Sequence, residues 1–175
     1  MDQVDGPIYN LQMSNIVYPG QGAKMTETVI FSQIWKHSNK RSYLTGMHLR
    51  EFANTPLFFN CFAHVLAKSQ SRYPKFKYYA GNIRLLTPAE HSLFDQGTEK
   101  ARAKYKREIE KKTNGRATAD WDKLYELRDA LIELYNEKFP TTVQGILNYK
   151  YTPEDIMAVL IPLNKEYFDA LSQSR

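Results

Sequence analysis

An α+β fold is predicted, with a short two-stranded hairpin running directly into a helix as a small ββα core, one helix before it and additional α-helices after it. Three observations predict it. The run LFFNCFAHVL at 57–66 is aromatic and β-favouring, and a second short apolar segment, 83–86, follows a polar connection. Thr87-Pro88-Ala89-Glu90 has the composition of a helix start, with Thr as N-cap, Pro in the first helical position and Glu placed to close a capping box. Beyond residue 120, apolar side chains recur every three and four positions, the period of amphipathic helices.

Taken in order, 1–24 is an arm: Gly6, Pro7, Pro19, Gly20 and Gly22 interrupt it and no periodicity develops. Residues 25–116 hold the ββα core with a basic helix, and 117–175 form a C-terminal helical extension. Thr26 caps a helix over Glu27–His37, whose Val29, Ile30, Gln33, Ile34 and Trp35 make its apolar stripe. A turn at Gly46 joins brief extended segments within 42–49. The run 57–66 is expected to be a strand covered on both faces, with His64 near its end. Gly81-Asn82 leads into the second strand. The helix from Pro88 carries His91 and Asp95 on one face and is expected to continue toward Lys112, where Asn114-Gly115 stops it. Trp121, Leu124, Leu127, Leu131, Leu134 and Tyr135 mark a helix over 120–139 that Pro140 ends. Thr152-Pro153 opens a last helix, in which Pro162 is expected to cause a kink.

Composition narrows the functional classes. With 24 Lys and Arg against 19 Asp and Glu, the net charge is +5 and the isoelectric point near 9.2, which favours a polyanionic partner. Cys61 is the single cysteine, so the chain can build neither an intramolecular disulfide nor a CxxC zinc knuckle, and a reducing compartment is expected. The longest apolar run, 156–163, falls well short of the roughly 20 residues of a membrane-spanning helix. Acidic residues stand at the N-terminus where a signal peptide is basic. A cytoplasmic protein without a membrane partner is the expectation.

Hydrolysis of a phosphodiester needs a base to activate water and a positive centre to hold charge on the phosphoryl and departing oxygens. A strand ending near His64, Asn82 ahead of a second strand, and a helix with His91 and Asp95 offer candidates for each part. Alone, each has an ordinary structural use: His64 as a bonded core histidine, His91 as a helix-surface residue, Asn82 as a turn former. Together with Phe31, Ile34 and Trp35, the strings Ser42-Tyr43-Leu44-Thr45-Gly46, Phe62-Ala63-His64-Val65-Leu66, Tyr73-Pro74-Lys75-Phe76, Asn82-Ile83-Arg84-Leu85-Leu86 and Glu90-His91 occur in an order that resembles a group of phage-type HNH (ββα-metal, His-Me finger) endonucleases. The similarity runs from about residue 28 to 95.

That resemblance implies a metal-dependent DNA endonuclease or nickase of a bacterial or phage-infected cell. His64 would be the general base, Asn82 the brace of the loop between the hairpin strands, and His91 a ligand of one divalent ion (Mg, Mn, Ni or Zn), with Asp95 as second ligand. Residues four apart on a helix converge, so an imidazole and a carboxylate can share a cation. One position departs from the pattern: many HNH nucleases carry an Asp or His ligand immediately before the base, where this chain has Ala63. A non-catalytic phage or mobile-element protein that binds nucleic acid or protein on a degenerate HNH scaffold is the alternative.

Lys68, Arg72, Lys75 and Lys77 lie between the two strands, interleaved with Tyr73, Phe76, Tyr78 and Tyr79. Lys100, Arg102, Lys104, Lys106 and Arg107 belong to a stretch, 100–116, with eight basic residues. Both groups are candidates for binding nucleic acid, DNA favoured, through phosphates and base stacking. The C-terminal helices supply a packing layer or a surface for a protein partner or homodimer.

Overall fold

A computed structural model describes residues 26–69 and 72–173; the proposed arm, 1–24, lies outside them. Mixed helix and sheet make the fold α+β, with five α-helices and two small antiparallel sheets among the described residues. Packing divides the chain into two compact units that interleave along the sequence: 39–65 with 83–127, and 26–38 with 66–82 and 128–173. No described helix is long and apolar enough to cross a membrane.

The first unit contains the hairpin. Strand β1 (Phe62–His64) pairs antiparallel with β2 (Ile83–Leu85) in the register Phe62 to Leu85, Ala63 to Arg84 and His64 to Ile83. Leu86 N–H donates to Cys61 O at 2.9 Å, and Tyr43 N–H donates to Leu85 O at 2.8 Å, which lays the 42–45 turn along the other edge of β2. The expected strand over 57–66 is a correction. Residues Phe58–Cys61 wind as a 3-10 turn, and only Phe62–His64 pairs as a strand. Burial explains this: Phe58 and Cys61, three apart, are both buried, whereas Phe59 and Asn60 between them are exposed. A three-residue period puts both on one side; strand alternation does not.

Helix α2 (Pro88–Gln96) begins with the full capping box: Thr87 Oγ1 accepts from Glu90 N–H and Glu90 accepts from Thr87 N–H. It does not continue to Lys112, a second correction. Extended backbone at Gly97 ends it, and Thr98 caps a new helix, α3 (Glu99–Lys112), by accepting from Ala101 N–H at 3.0 Å. Arg102 stabilises the break, donating to the carbonyls of Leu93 at 3.2 Å and Gly97 at 2.7 Å. A cap residue and a carbonyl-capping guanidinium together outweigh helical continuity through a glycine.

Helix α4 (Trp121–Lys138) contributes its residues to Leu127 to the first unit and the remainder to the second. The second unit also holds α1 (Glu27–His37), capped by Thr26 as expected, and α5 (Pro153–Gln173), which runs through Pro162 as one helix. A hairpin of β3 (Thr142–Val143) and β4 (Ile146–Leu147) separates α4 from α5. Its two-residue turn, Gln144-Gly145, has φ of 50° and 82°, the twist-matched geometry that favours glycine in the second place. The unit's core is aromatic: Phe76 is fully buried, with the rings of Tyr135 at 4.8 Å and Tyr79 at 4.9 Å.

Candidate functional site

Two nitrogens on one ring define the strongest candidate. His91 lies one turn into α2, and its Nδ1 is 2.7 Å from the backbone oxygen of Asn60 in the turn before β1. A carbonyl can only accept, so Nδ1 must carry the proton and donate. In the neutral ring this leaves a lone pair on Nε2, which sits 3.0 Å from Asp95 Oδ2. Two acceptors facing each other at that distance repel unless a second proton or a cation lies between them. An imidazole oriented by a backbone carbonyl, with its other nitrogen beside a carboxylate, is the arrangement found at metal-ligating histidines. The His91 side chain is 20% exposed and that of Asp95 48%, so the pair opens to solvent.

The residue before His91 holds the helix start. Glu90 is fully buried and accepts from Ser42 Oγ at 2.5 Å, Thr45 Oγ1 at 2.7 Å, Tyr105 Oη at 2.9 Å and Thr87 N–H at 2.9 Å. Burial, followed by the Glu90 charge, raises Tyr105 well above its ordinary value and pushes the Cys61 thiol up to about 12.

His64 is half-buried at the end of β1, between buried Ala63 and Val65. Asn82, fully buried, directly precedes its register partner Ile83. Within the second unit the Asn82 carboxamide closes the strand-connecting loop: Oδ1 accepts from Leu66 N–H at 2.7 Å, while Nδ2 donates to Leu66 O at 3.1 Å and Phe76 O at 3.4 Å. In the same loop Gly81 leaves room for the Tyr79 ring, since a Cβ there would stand 2.3 Å from it. Asn164 of α5 ties down the same loop, donating to Tyr78 O at 2.9 Å and accepting from Ala80 N–H at 2.7 Å.

Among the described residues, no group of three or more His, Cys, Asp or Glu side chains is arranged to hold a metal ion. His91 and Asp95 are a pair, short of such a group, and a cation on them would take its remaining ligands from water or phosphate. Ala63 is fully buried and pairs across the hairpin with Arg84, whose guanidinium lies 5.3 Å from the Tyr43 ring centroid.

The nine basic candidates fall into different settings. In the second unit, Lys68 pairs with Glu27, and Arg72 is exposed. Lys75 is held among aromatic rings, its Nζ 5.5 Å from the Tyr135 centroid, 5.8 Å from Phe139 and 5.4 Å from Tyr151, while Lys77 lies over Tyr78 at 5.3 Å. In the first unit, Arg102 is occupied with the α2 terminus, and Lys104 and Lys106 pair with Glu108 and Glu110 one turn on. Lys100 and Arg107 are exposed on α3 without an ion pair among the described residues.

Sequence reasoning missed Asn60 as a partner of His91, and Ser42, Thr45 and Tyr105 as partners of Glu90. The capping box did point to Glu90, but the bonds that arrive from 45 and 15 residues away carry no local signal. No protein-family model, no curated protein and no solved structure matches this chain.

Proposed function

We propose that this chain is a metal-dependent endonuclease or nickase of the HNH type, hydrolysing phosphodiester bonds in nucleic acid, DNA favoured. The observation that carries the reading is the His91 ring, with Nδ1 on the Asn60 carbonyl and Nε2 facing Asp95, on the helix that follows β2, the partner of the strand ending at His64. His91 and Asp95 would hold the divalent ion. When bound, such an ion offsets the charge that develops on the phosphoryl and departing oxygens. His64, as the neutral imidazole, accepts the proton of the attacking water, and its half-buried position limits competing solvation. Asn82 acts through the backbone, holding the chain two residues after His64 by its paired bonds to Leu66. Lys100 and Arg107 are the cations best available for phosphates.

The test is cleavage of supercoiled plasmid with magnesium, manganese, nickel or zinc. Nicked or linear product is expected with at least one ion, and His64→Ala should lose about a hundredfold or more of the rate while keeping DNA affinity. No cleavage by folded protein with any of the four rejects the reading; unchanged activity in His64→Ala rejects the base assignment. A second reading, a binding module on a degenerate HNH scaffold, is favoured by Ala63 and by the lack, among the described residues, of a group of three metal-ligating side chains. It expects no stoichiometric divalent ion and no effect of His64→Ala.

A further inference from the structure

Closing a capping box requires one bond to the Glu90 carboxylate, that from Thr87 N–H, and a glutamine serves this as well. The other three bonds, from Ser42, Thr45 and Tyr105, join the 42–45 turn and α3 to the first turn of α2. Among the described residues no cation pairs with this buried carboxylate, so it is held by directional donors alone. Directional bonds fix orientation where a point charge does not. The next side chain along the helix is His91, whose ring must meet the Asn60 carbonyl with one nitrogen and Asp95 with the other.

We propose that Glu90 is a positioning residue for His91: its four bonds set the rotation and height of the first turn of α2 so that Nε2 is presented toward Asp95 for a divalent cation. This rests on the metal site inferred above. It assigns Ser42, Thr45 and Tyr105 to that site as remote supports. A glutamine at 90 can keep its one oxygen for Thr87 N–H and Ser42 Oγ, but its amide then faces Thr45 and Tyr105 as a donor, so both hydroxyls must reverse from donating to accepting. Outer partners of this kind change metal affinity by about ten- to a hundredfold.

The test compares the full chain with Glu90→Gln and Tyr105→Phe, and with Thr98→Ala as a control that loses only the α3 cap. Nickel binding is measured by calorimetry, and the His91 ring tautomer by long-range proton–nitrogen correlation without metal. The parent and Thr98→Ala should share one nickel affinity and a proton held on Nδ1 throughout. Glu90→Gln and Tyr105→Phe should bind nickel about ten- to a hundredfold more weakly and show mixed tautomers. Tyr105→Phe removes one half-buried hydroxyl, so it decides the matter if Glu90→Gln fails to fold. Parental affinity and tautomer in both variants overturn the proposal. If the parent itself takes up no nickel, the metal reading falls, and the tautomer result alone then upholds or overturns the positioning role.

Discussion

A buried carboxylate one residue before a half-buried imidazole imposes its charge on its neighbours, and Cys61 reports it. Burial first and Glu90 second push this thiol from an ordinary 9.0 to about 12. As pH rises past about 9, the unfolded chain releases the thiol proton while the native state keeps it. The native state then binds more protons, so this group's contribution is intact below about pH 9 and is lost progressively up to about pH 12. The slope reaches about 1.4 kcal/mol per pH unit. Tyr105, raised by burial and by Glu90, acts in the same sense at higher pH. Urea unfolding on either side of about pH 10 should therefore show a shallower alkaline loss in Cys61→Ala than in the parent; equal slopes contradict the assignment. In the folded protein this buried thiol should also resist alkylation.

Among the elements, the strand-connecting loop depends on two carboxamides. Asn82→Asp keeps the acceptor for Leu66 N–H but sets a second oxygen against the carbonyls of Leu66 and Phe76. A loss of about 3 kcal/mol or more in unfolding free energy is expected at neutral pH, against about 1 kcal/mol for the cap variant Thr98→Ala. Comparable values in denaturant melts contradict the bracing role. Local signals made the starts of α1 and α2 legible, because a cap and its helix lie within four residues of each other. They failed at 57–66, where β-favouring composition gave no hint that Phe58 and Cys61 would be buried together and Phe59 left exposed. They failed again at Gly97-Thr98, where the Arg102 side chain reaches back over five residues to Gly97. The β3–β4 hairpin went unread because Gln144-Gly145 is a weaker turn signal than Asn-Gly or Asp-Gly.

For the whole molecule, the strand–strand–helix order that carries the candidate residues His64, Asn82 and His91 was legible, and the fold has it. Their supports were not, because Asn60, Ser42 and Tyr105 reach the site only through tertiary packing. Charge was legible as a total and not as a distribution: Lys68, Lys104 and Lys106 face acidic partners, and Lys75 sits among rings. Binding to duplex DNA should accordingly respond unevenly. The pair Lys100→Ala and Arg107→Ala should flatten the dependence of log affinity on log salt by about 2, whereas Lys75→Ala leaves it unchanged and lowers stability instead. Equal slopes for the paired variant and the parent reject α3 as a phosphate-contacting surface.

The proposed function requires a divalent ion between the Nε2 of His91 and the carboxylate of Asp95. A zinc-soaked crystal, with diffraction recorded on both sides of the zinc absorption edge, tests it directly. One strong anomalous peak is expected about 2.0–2.2 Å from both groups, absent in His91→Ala. A map in which the ring keeps its bond to Asn60 while no zinc lies beside Nε2 contradicts it.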